Sequence, residues 1–390
     1  MTAILSQGPI FLACLAVMLG VVVIIHELGH YLAGRLFGAA VESFSVGFGK
    51  PIFEVKDSRN TRWRVNWIPL GGFVKFVGES QLPSDVGKIE AGPVGKAYGE
   101  IGVGARSIVA LAGPVANFVL AAALYALILG FNGSYTSRIA IVDAAPDQPA
   151  ARGGIVAGDI LVDVEGKPIE TVADIQLAVI MSSGETLDFT VERDGALVEL
   201  VVTPERQMRE NELGQVVPQG TIGVSMQPLR DATTRVDYNP VEAVGAGIVQ
   251  TGDVLVLTTQ MLGRILTGRE PISLLSGPVA IGDAGRRIVN QTMENEQVPL
   301  ADRLLVLLWR MIGICAAVSV GIGFFNLLPL PVLDGGHLVF NAYEAVTGRA
   351  MPEKVQEFAL MAGLGLLLTM FVFITWGDIL ETGLFNRAAG

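Results

Sequence analysis

Two cysteines in 390 residues, Cys14 and Cys315, exclude a disulfide framework and a thiolate zinc site, since each lies alone inside an apolar run. Charge is scarce too: Asp, Glu, Lys and Arg make up 17% of the chain, with 38 acidic residues against 27 basic ones. No basic patch interleaved with aromatics occurs, so nucleic-acid binding has no support. Histidine is rarer still, with three in the whole chain. The stretch from Met1 to Pro9 has no basic residue, and no small-residue cleavage site follows the apolar run behind it. That run is expected to be a retained first span rather than a cleaved leader.

Apolar residues are abundant, at 51% of the chain with a mean hydropathy of +0.52. That is too apolar for a soluble enzyme, yet a formal charge of −11 requires a polar portion. Together they predict a polytopic α-helical membrane protein with an inserted soluble domain. Four stretches have the length for a span: about 9–37, 107–131, 304–328 and 355–376. The expected organisation is a first membrane part at 1–131, a soluble α+β domain at 136–228, a connector at 239–300 and a second membrane part at 304–390. Loop 34–106 carries ten Lys/Arg against seven Asp/Glu, whereas 132–303 carries thirteen against twenty-four. The positive-inside rule therefore turns the first loop toward the cytoplasm and the soluble domain away from it.

Within the first loop, residues 44–77 read as a membrane-associated β-hairpin. Trp63, Val65 and Trp67 alternate with Arg64 and Asn66, the period of a half-buried strand, and Asp57-Ser58-Arg59-Asn60 supplies the turn. Gly71-Gly72-Phe73-Val74 opens a further strand, either an edge for an extended peptide or a cap on the membrane domain. In 136–228, short β-rich runs at Ile139–Val142, Ile160–Val164, Leu187–Val191 and Val198–Val202 are divided by Gly, Pro and Asp. From Asn239 to Gly268, Val241, Val244, Ile248 and Leu255 recur at helical spacing, which fits a helix lying on the membrane surface or packed on the soluble domain.

Chemistry concentrates at His26-Glu27-Leu28-Gly29-His30. On a helix His26 and His30 project from one face within reach of one ion, while Glu27 is set to touch a water rather than to ligate. The bland alternative is a pair of hydrogen-bonded helix histidines. Against it, two imidazoles and a carboxylate inside a membrane-length apolar run are costly, and such groups are functional by default. Catalytic zinc takes three protein ligands and an open position. The third ligand is sought after the helix break at Pro329 and Pro331, where both Asp334 and His337 are candidates.

These motifs carry a resemblance. His26-Glu27-Leu28-Gly29-His30 with Leu333-Asp334-Gly335 resembles the paired motifs of the site-2 protease family of intramembrane zinc metalloproteases. Phe44–Gly49, Ile68–Gly72, Gly113-Pro114-Val115-Ala116-Asn117 and Asn326–Gly336 are similar to its bacterial RseP-like branch. Pro149–Leu161 followed by Gly166-Lys167-Pro168-Ile169 resembles a bacterial PDZ core, in one copy, and Gly220–Val224 is its candidate peptide loop. The resemblance implies one zinc per chain, Asp334 as third ligand and Glu27 as general base. It also implies a backbone-holding role for Asn326. Asn117 is a weaker candidate for the same role, with helix packing as its alternative, and Gly71, Gly72 and Val74 are the candidate strand partners. The implied location is the bacterial inner membrane, with the active site toward the cytoplasm and the PDZ domain outside. The implied substrates are transmembrane proteins first cut by another protease, such as a membrane anti-sigma factor. Peptides, C-termini or ectodomains are the expected PDZ ligands, and lipid surrounds the whole. Two rivals from other classes are a metal transporter, which needs ligands spread over several spans, and a non-catalytic membrane scaffold presenting the PDZ domain.

Overall fold

The computed structural model describes residues 2–78, 92–210, 216–270, 278–294 and 297–381. It divides into two compact units: Met1–Ile128 with Ala243–Gln260 and Gly285–Phe373, and Leu129–Glu242 with Met261–Ala284 and Ile374–Gly390. The chain opens with α1 (Thr2–Leu36), β1 (Val41–Lys56), β2 (Arg62–Phe76) and α2 (Val103–Asn132). A β-rich stretch follows, from β3 (Ser134–Thr136) and β4 (Ile139–Ala144) through α3 (Pro149–Arg152), β5 (Ile160–Val164) and β6 (Lys167–Pro168) to α4 (Val172–Ile180). It continues with β7 (Leu187–Arg193), β8 (Ala196–Val202), β9 (Glu205–Glu210), β10 (Val216–Thr221), β11 (Val224–Pro228) and β12 (Thr234–Val236). The rest is helical: α5 (Pro240–Leu266), α6 (Pro278–Met293), α7 (Leu300–Asn326), α8 (Asp334–Thr347) and α9 (Glu353–Glu381).

In the first unit, the hairpin turn forms because Asp57 Oδ1 accepts from the amides of Arg59 and Thr61, each at 2.9 Å. The two strands are long and bent, so the start of β1 is paired twice: Phe44 lies opposite Val74 on one side and Trp63 on the other. Residues 72–76 are therefore an edge of what is effectively a four-stranded antiparallel sheet. One end of it packs inward, with Val41, Phe44 and Phe76 buried together with Ala33 and Val109. The other end presents Phe53, Trp67 and Ile68 outward, and Trp67 is 70% exposed. Helices α2 and α7 meet through small residues, with Ala121, Ala316 and Val320 forming a buried seam. Their direction is opposed, since Ser319 bonds at Asn117, Gly323 lies on Pro114 and Phe118, and Gly313 lies on Ile128.

In the second unit the main sheet has the order β11-β4-β5-β7-β8, with β6 on β5, while β9 pairs with β10 and β3 with β12. Its core is Ile139, Ile141, Leu161, Phe189, Val191 and their neighbours. Helix α4 starts at a capping box in which the Thr171 side chain accepts from the Asp174 amide. The strands expected at 139–142, 160–164, 187–191 and 198–202 are present as β4, β5, β7 and β8. Gly220–Val224 spans the end of β10 and the start of β11, with Gly223 at φ +72°.

The connector departs from a simple surface segment. α5 is capped by Asn239 and has only Asp253 as a charge between Glu242 and Arg264. It is long and apolar enough to cross a membrane, giving five such helices among the described residues where about four spans were expected from the sequence. Residues 271–277 and 295–296 of the connector lie outside the described residues. The helices also extend the expected spans: α2 begins at Val103, and α9 runs from Glu353 to Glu381.

Candidate metal centre

The four-residue spacing on α1 sets His26 and His30 on one face, both buried, with their Nε2 atoms 3.2 Å apart. The third group arrives from the far end of the sequence. After α7 ends at Asn326, two prolines in three residues prevent the helix from continuing, and a tight turn (Leu330 N to Leu328 O, 2.7 Å) leads to α8. Asp334 is the first residue of α8, and its Oδ2 lies 3.1 Å from His26 Nε2 and 3.3 Å from His30 Nε2. One nitrogen from each ring and one carboxylate oxygen lie within 4.8 Å of one another, the one such cluster among the described residues. His337, one turn further along α8, lines the adjoining cavity but is not in the cluster.

Glu27 lies beside this cluster. Its Oε2 accepts a 2.9 Å hydrogen bond from the backbone amide of Val74 on the edge segment. Gly72 makes that approach possible, because a Cβ there would meet Ser45 O at 2.9 Å and the Val23 side chain at 3.1 Å. Both groups border a cavity of about 240 Å³, whose wall also includes Phe73, Asn326 and Leu333. Gly71 stands apart from it, with φ +84° against the Phe48 ring.

The sequence-derived residues thus separate into groups. His26, His30, Asp334 and Glu27 converge. Asn326 borders the cavity, but its Nδ2 donates to Ile322 O of its own helix at 3.0 Å. The Val74 amide, expected to be open for a peptide, is committed to Glu27. Asn117 is fully buried behind the histidines, its Nδ2 3.2 Å from His26 Nδ1. Sequence reasoning passed over the Val109 carbonyl, which accepts from His30 Nδ1 at 2.8 Å, and Ser319, whose hydroxyl donates to Asn117 O at 2.8 Å. A backbone carbonyl has no side-chain signature. The one available hint was Gly113-Pro114, a helix distortion in an otherwise regular apolar span.

The model of peptidase family M50 matches residues 14–370. A Mesorhizobium japonicum protein named as a candidate zinc metalloprotease is 37% identical over 368 residues, covering 93% of this chain and 96% of that one. The metalloprotease MmpA of Caulobacter vibrioides is 35% identical over 396 residues, covering 98% of each. Among solved structures, the PDZ domain of an SdrC-like protein from Listeria monocytogenes aligns at 15% identity with a TM-score of 0.19, over 23% of this chain and 85% of that one.

Proposed function

This chain belongs to peptidase family M50 and is a zinc metalloprotease of the site-2, intramembrane type, and on that premise we propose that His26, His30 and Asp334 hold the zinc while Glu27 moves the proton. The donor set supports this, because two imidazole nitrogens and one carboxylate oxygen suit zinc and leave a fourth position open. Zinc bound there supplies a Lewis acid that polarises the scissile carbonyl and acidifies a water. Glu27 takes the proton of the attacking water and returns it to the leaving amine. The Val74 amide fixes one carboxylate oxygen, so the other is aimed without a search over rotamers. The observation that carries the assignment is the convergence of residues 26, 30 and 334, from opposite ends of the chain, beside Glu27. The same convergence disfavours the transporter reading, which needs ligands spread along a path.

Substrates are membrane proteins, and we read the edge at residues 72–76 as the place where an unwound segment adds as a strand, with the Asn326 amide as a further backbone partner. Freed backbone groups in hydrocarbon cost several kcal/mol each unless they find such partners. The outward apolar end of the hairpin, with Phe53 and Trp67, is read as lipid-facing. Residues 136–228, in the second unit, are read as a single PDZ domain that filters substrates by the size of their ectodomain. Its support is the strand order with β11 at one edge and α4 following β6.

Four crossings are proposed, with α5 on the surface. Parity supports the count. α7 runs opposite to α2, so it starts on the face where α2 ends, and residues 133–299 cross an even number of times. α6 has 16 residues and carries Asp283, Arg286 and Arg287, too short and too charged to be the partner crossing that α5 would require. With the basic first loop inside, the inner-membrane orientation puts the PDZ domain outside. The direct test is cleavage of a membrane-embedded reporter by purified protein. Glu27→Gln is expected to lower the rate by about 10²–10⁴-fold with zinc still near one per chain. Zinc lost in parallel with activity would make Glu27 a ligand and refute the role assignment.

A further inference from the structure

The two histidines differ in what supports the nitrogen turned away from the centre. His30 Nδ1 lies 2.8 Å from Val109 O. A carbonyl can only accept, so Nδ1 carries the ring proton and Nε2 keeps its lone pair for a ligand bond. His26 Nδ1 instead faces the Asn117 carboxamide, with Nδ2 at 3.2 Å. An amide nitrogen can only donate. In that orientation the His26 proton belongs on Nε2, the atom 3.1 Å from Asp334 Oδ2, where a ligand lone pair is required. At the same time Asn117 Oδ1 is buried without a hydrogen-bond partner, on a residue with no exposure at all.

One rotation answers the tautomer mismatch and gives Oδ1 a partner, with Nδ2 taking the position that Oδ1 had occupied. A half-turn of the carboxamide exchanges Oδ1 and Nδ2 with almost no change in volume, and Oδ1 then accepts from His26 Nδ1–H. We infer that Asn117 is a positioning residue of the metal centre, which presents Oδ1 to His26 and fixes the tautomer that leaves Nε2 free to ligate. This rests on the reading of His26 as a zinc ligand, and it reassigns Asn117 from substrate contact to support of that ligand.

The surrounding residues fit the assignment. A Cβ at Gly113 would lie 2.2 Å from His30 Nε2 and 2.9 Å from His26 Cε1, so only glycine lets both rings rest against α2. Pro114 removes the amide that would have bonded Ala110 O, so the turn next to the Val109 carbonyl that faces His30 has one helical bond fewer. Ser319 ties the Asn117 backbone to α7 through its hydroxyl. Residues 109–117 of α2 are thus one platform with two acceptors, the Val109 carbonyl for His30 and the Asn117 side-chain amide for His26. Such supporting hydrogen bonds typically change metal affinity by about 10–100-fold when removed.

The test uses the full-length purified protein and reads zinc affinity by chelator competition, with the absorption of the cobalt-loaded protein as a second readout. Asn117→Leu keeps the volume and removes the acceptor, so zinc should bind about 10–100-fold more weakly and the cobalt bands should shift. Asn117→Asp keeps an acceptor and changes one heavy atom, so it should bind zinc at least as tightly as the wild-type protein and restore the cobalt spectrum. A merely structural role predicts that Leu, the better apolar filler, is tolerated at least as well as Asp. If Asn117→Leu does not fold, weak zinc binding by a folded Asn117→Asp still overturns the inference. His26→Ala separates the two levels. Zinc retained in that variant removes His26 as a ligand, whereas zinc lost there but kept in Asn117→Leu removes only the role of Asn117.

Discussion

The β-rich unit buries Ile139, Ile141, Val191 and Phe189 around the carboxylate of Asp159, whereas the membrane unit turns Val119, Leu308 and Phe371 outward and buries His26, His30, Asn117 and Ser319. In water the hydrophobic effect sorts side chains, so apolar groups collect inside. In a bilayer that sorting is absent, because lipid is as apolar as the core. Polar groups and small residues then decide which helices meet. One chain thus uses two rules of assembly, and its chemistry sits where the polar rule applies. The two units should therefore fail separately, one through its ligands and the other through its fold.

The largest separation should come from the ligand set. Asp334→Ala is expected to lose both zinc and cleavage, while His337→Ala keeps the metal, because His337 borders the cavity without entering the cluster. Metal analysis of the two purified proteins decides this. The reverse pattern would make a three-histidine site and break the assignment. In neither variant should the β-rich unit lose amide protection, since its core shares no side chain with the site.

A smaller effect should follow from removing the other unit. Deleting residues 136–228 is expected to leave zinc content unchanged and cleavage of a short-ectodomain substrate intact. Substrates with a bulky ectodomain should then be cut more readily than by the full chain. Silence toward every substrate would show that the β-rich unit is needed for activity or folding, and the filter reading would fall.

How much of this was legible beforehand follows the same division. His26, Glu27, His30 and Asp334 could be read because short motifs fix side chains on one helix or at one helix start, and ionisable groups are conspicuous in an apolar run. The strands β4, β5, β7 and β8 were legible from β-rich runs between Gly, Pro and Asp. The double pairing of β1 was not, since one sequence period serves a strand with one neighbour or two. Nor was the commitment of the Val74 amide to Glu27, because backbone donors leave no mark in a sequence. The periodic pattern of α5 fits a helix on the membrane surface or packed on the soluble domain, yet its composition alone also allows a span. The opposed direction of α2 and α7 bears on that choice, and so does the packing of α5 on α2, where a Cβ at Gly247 would meet Ala122 O at 2.4 Å and Val254 and Leu255 lie on the Ala121–Ala316–Val320 seam.

The smallest effect should come from the fully buried Asp159 of the β-rich unit, and it tests whether the two rules are as separate as the comparison holds. Asp159 is fully buried, and Arg193 reaches it with Nε at 2.7 Å from Oδ1 and Nη2 at 2.8 Å from Oδ2. The Val156 amide donates to Oδ2 at 2.9 Å. Burial pushes the carboxyl pKa up, but the Arg193 hydrogen bonds, the Val156 amide and the guanidinium charge outweigh it and leave the pKa below its ordinary value. A carboxyl whose pKa is lower folded than unfolded contributes stability that is fully present above the unfolded value, about 3.9, and is lost as pH falls through the folded value. Hydrogen-exchange protection of β5 and β7 should therefore be level through neutral pH and decline only in acid. Asp159→Asn should protect those strands less at neutral pH, because Arg193 loses its charged partner, and should show a shallower decline in acid. Zinc content at neutral pH should be the same in both proteins. An acid slope as steep in Asp159→Asn as in the wild-type chain would remove Asp159 as its source. A loss of zinc in Asp159→Asn would show that the two units are coupled after all.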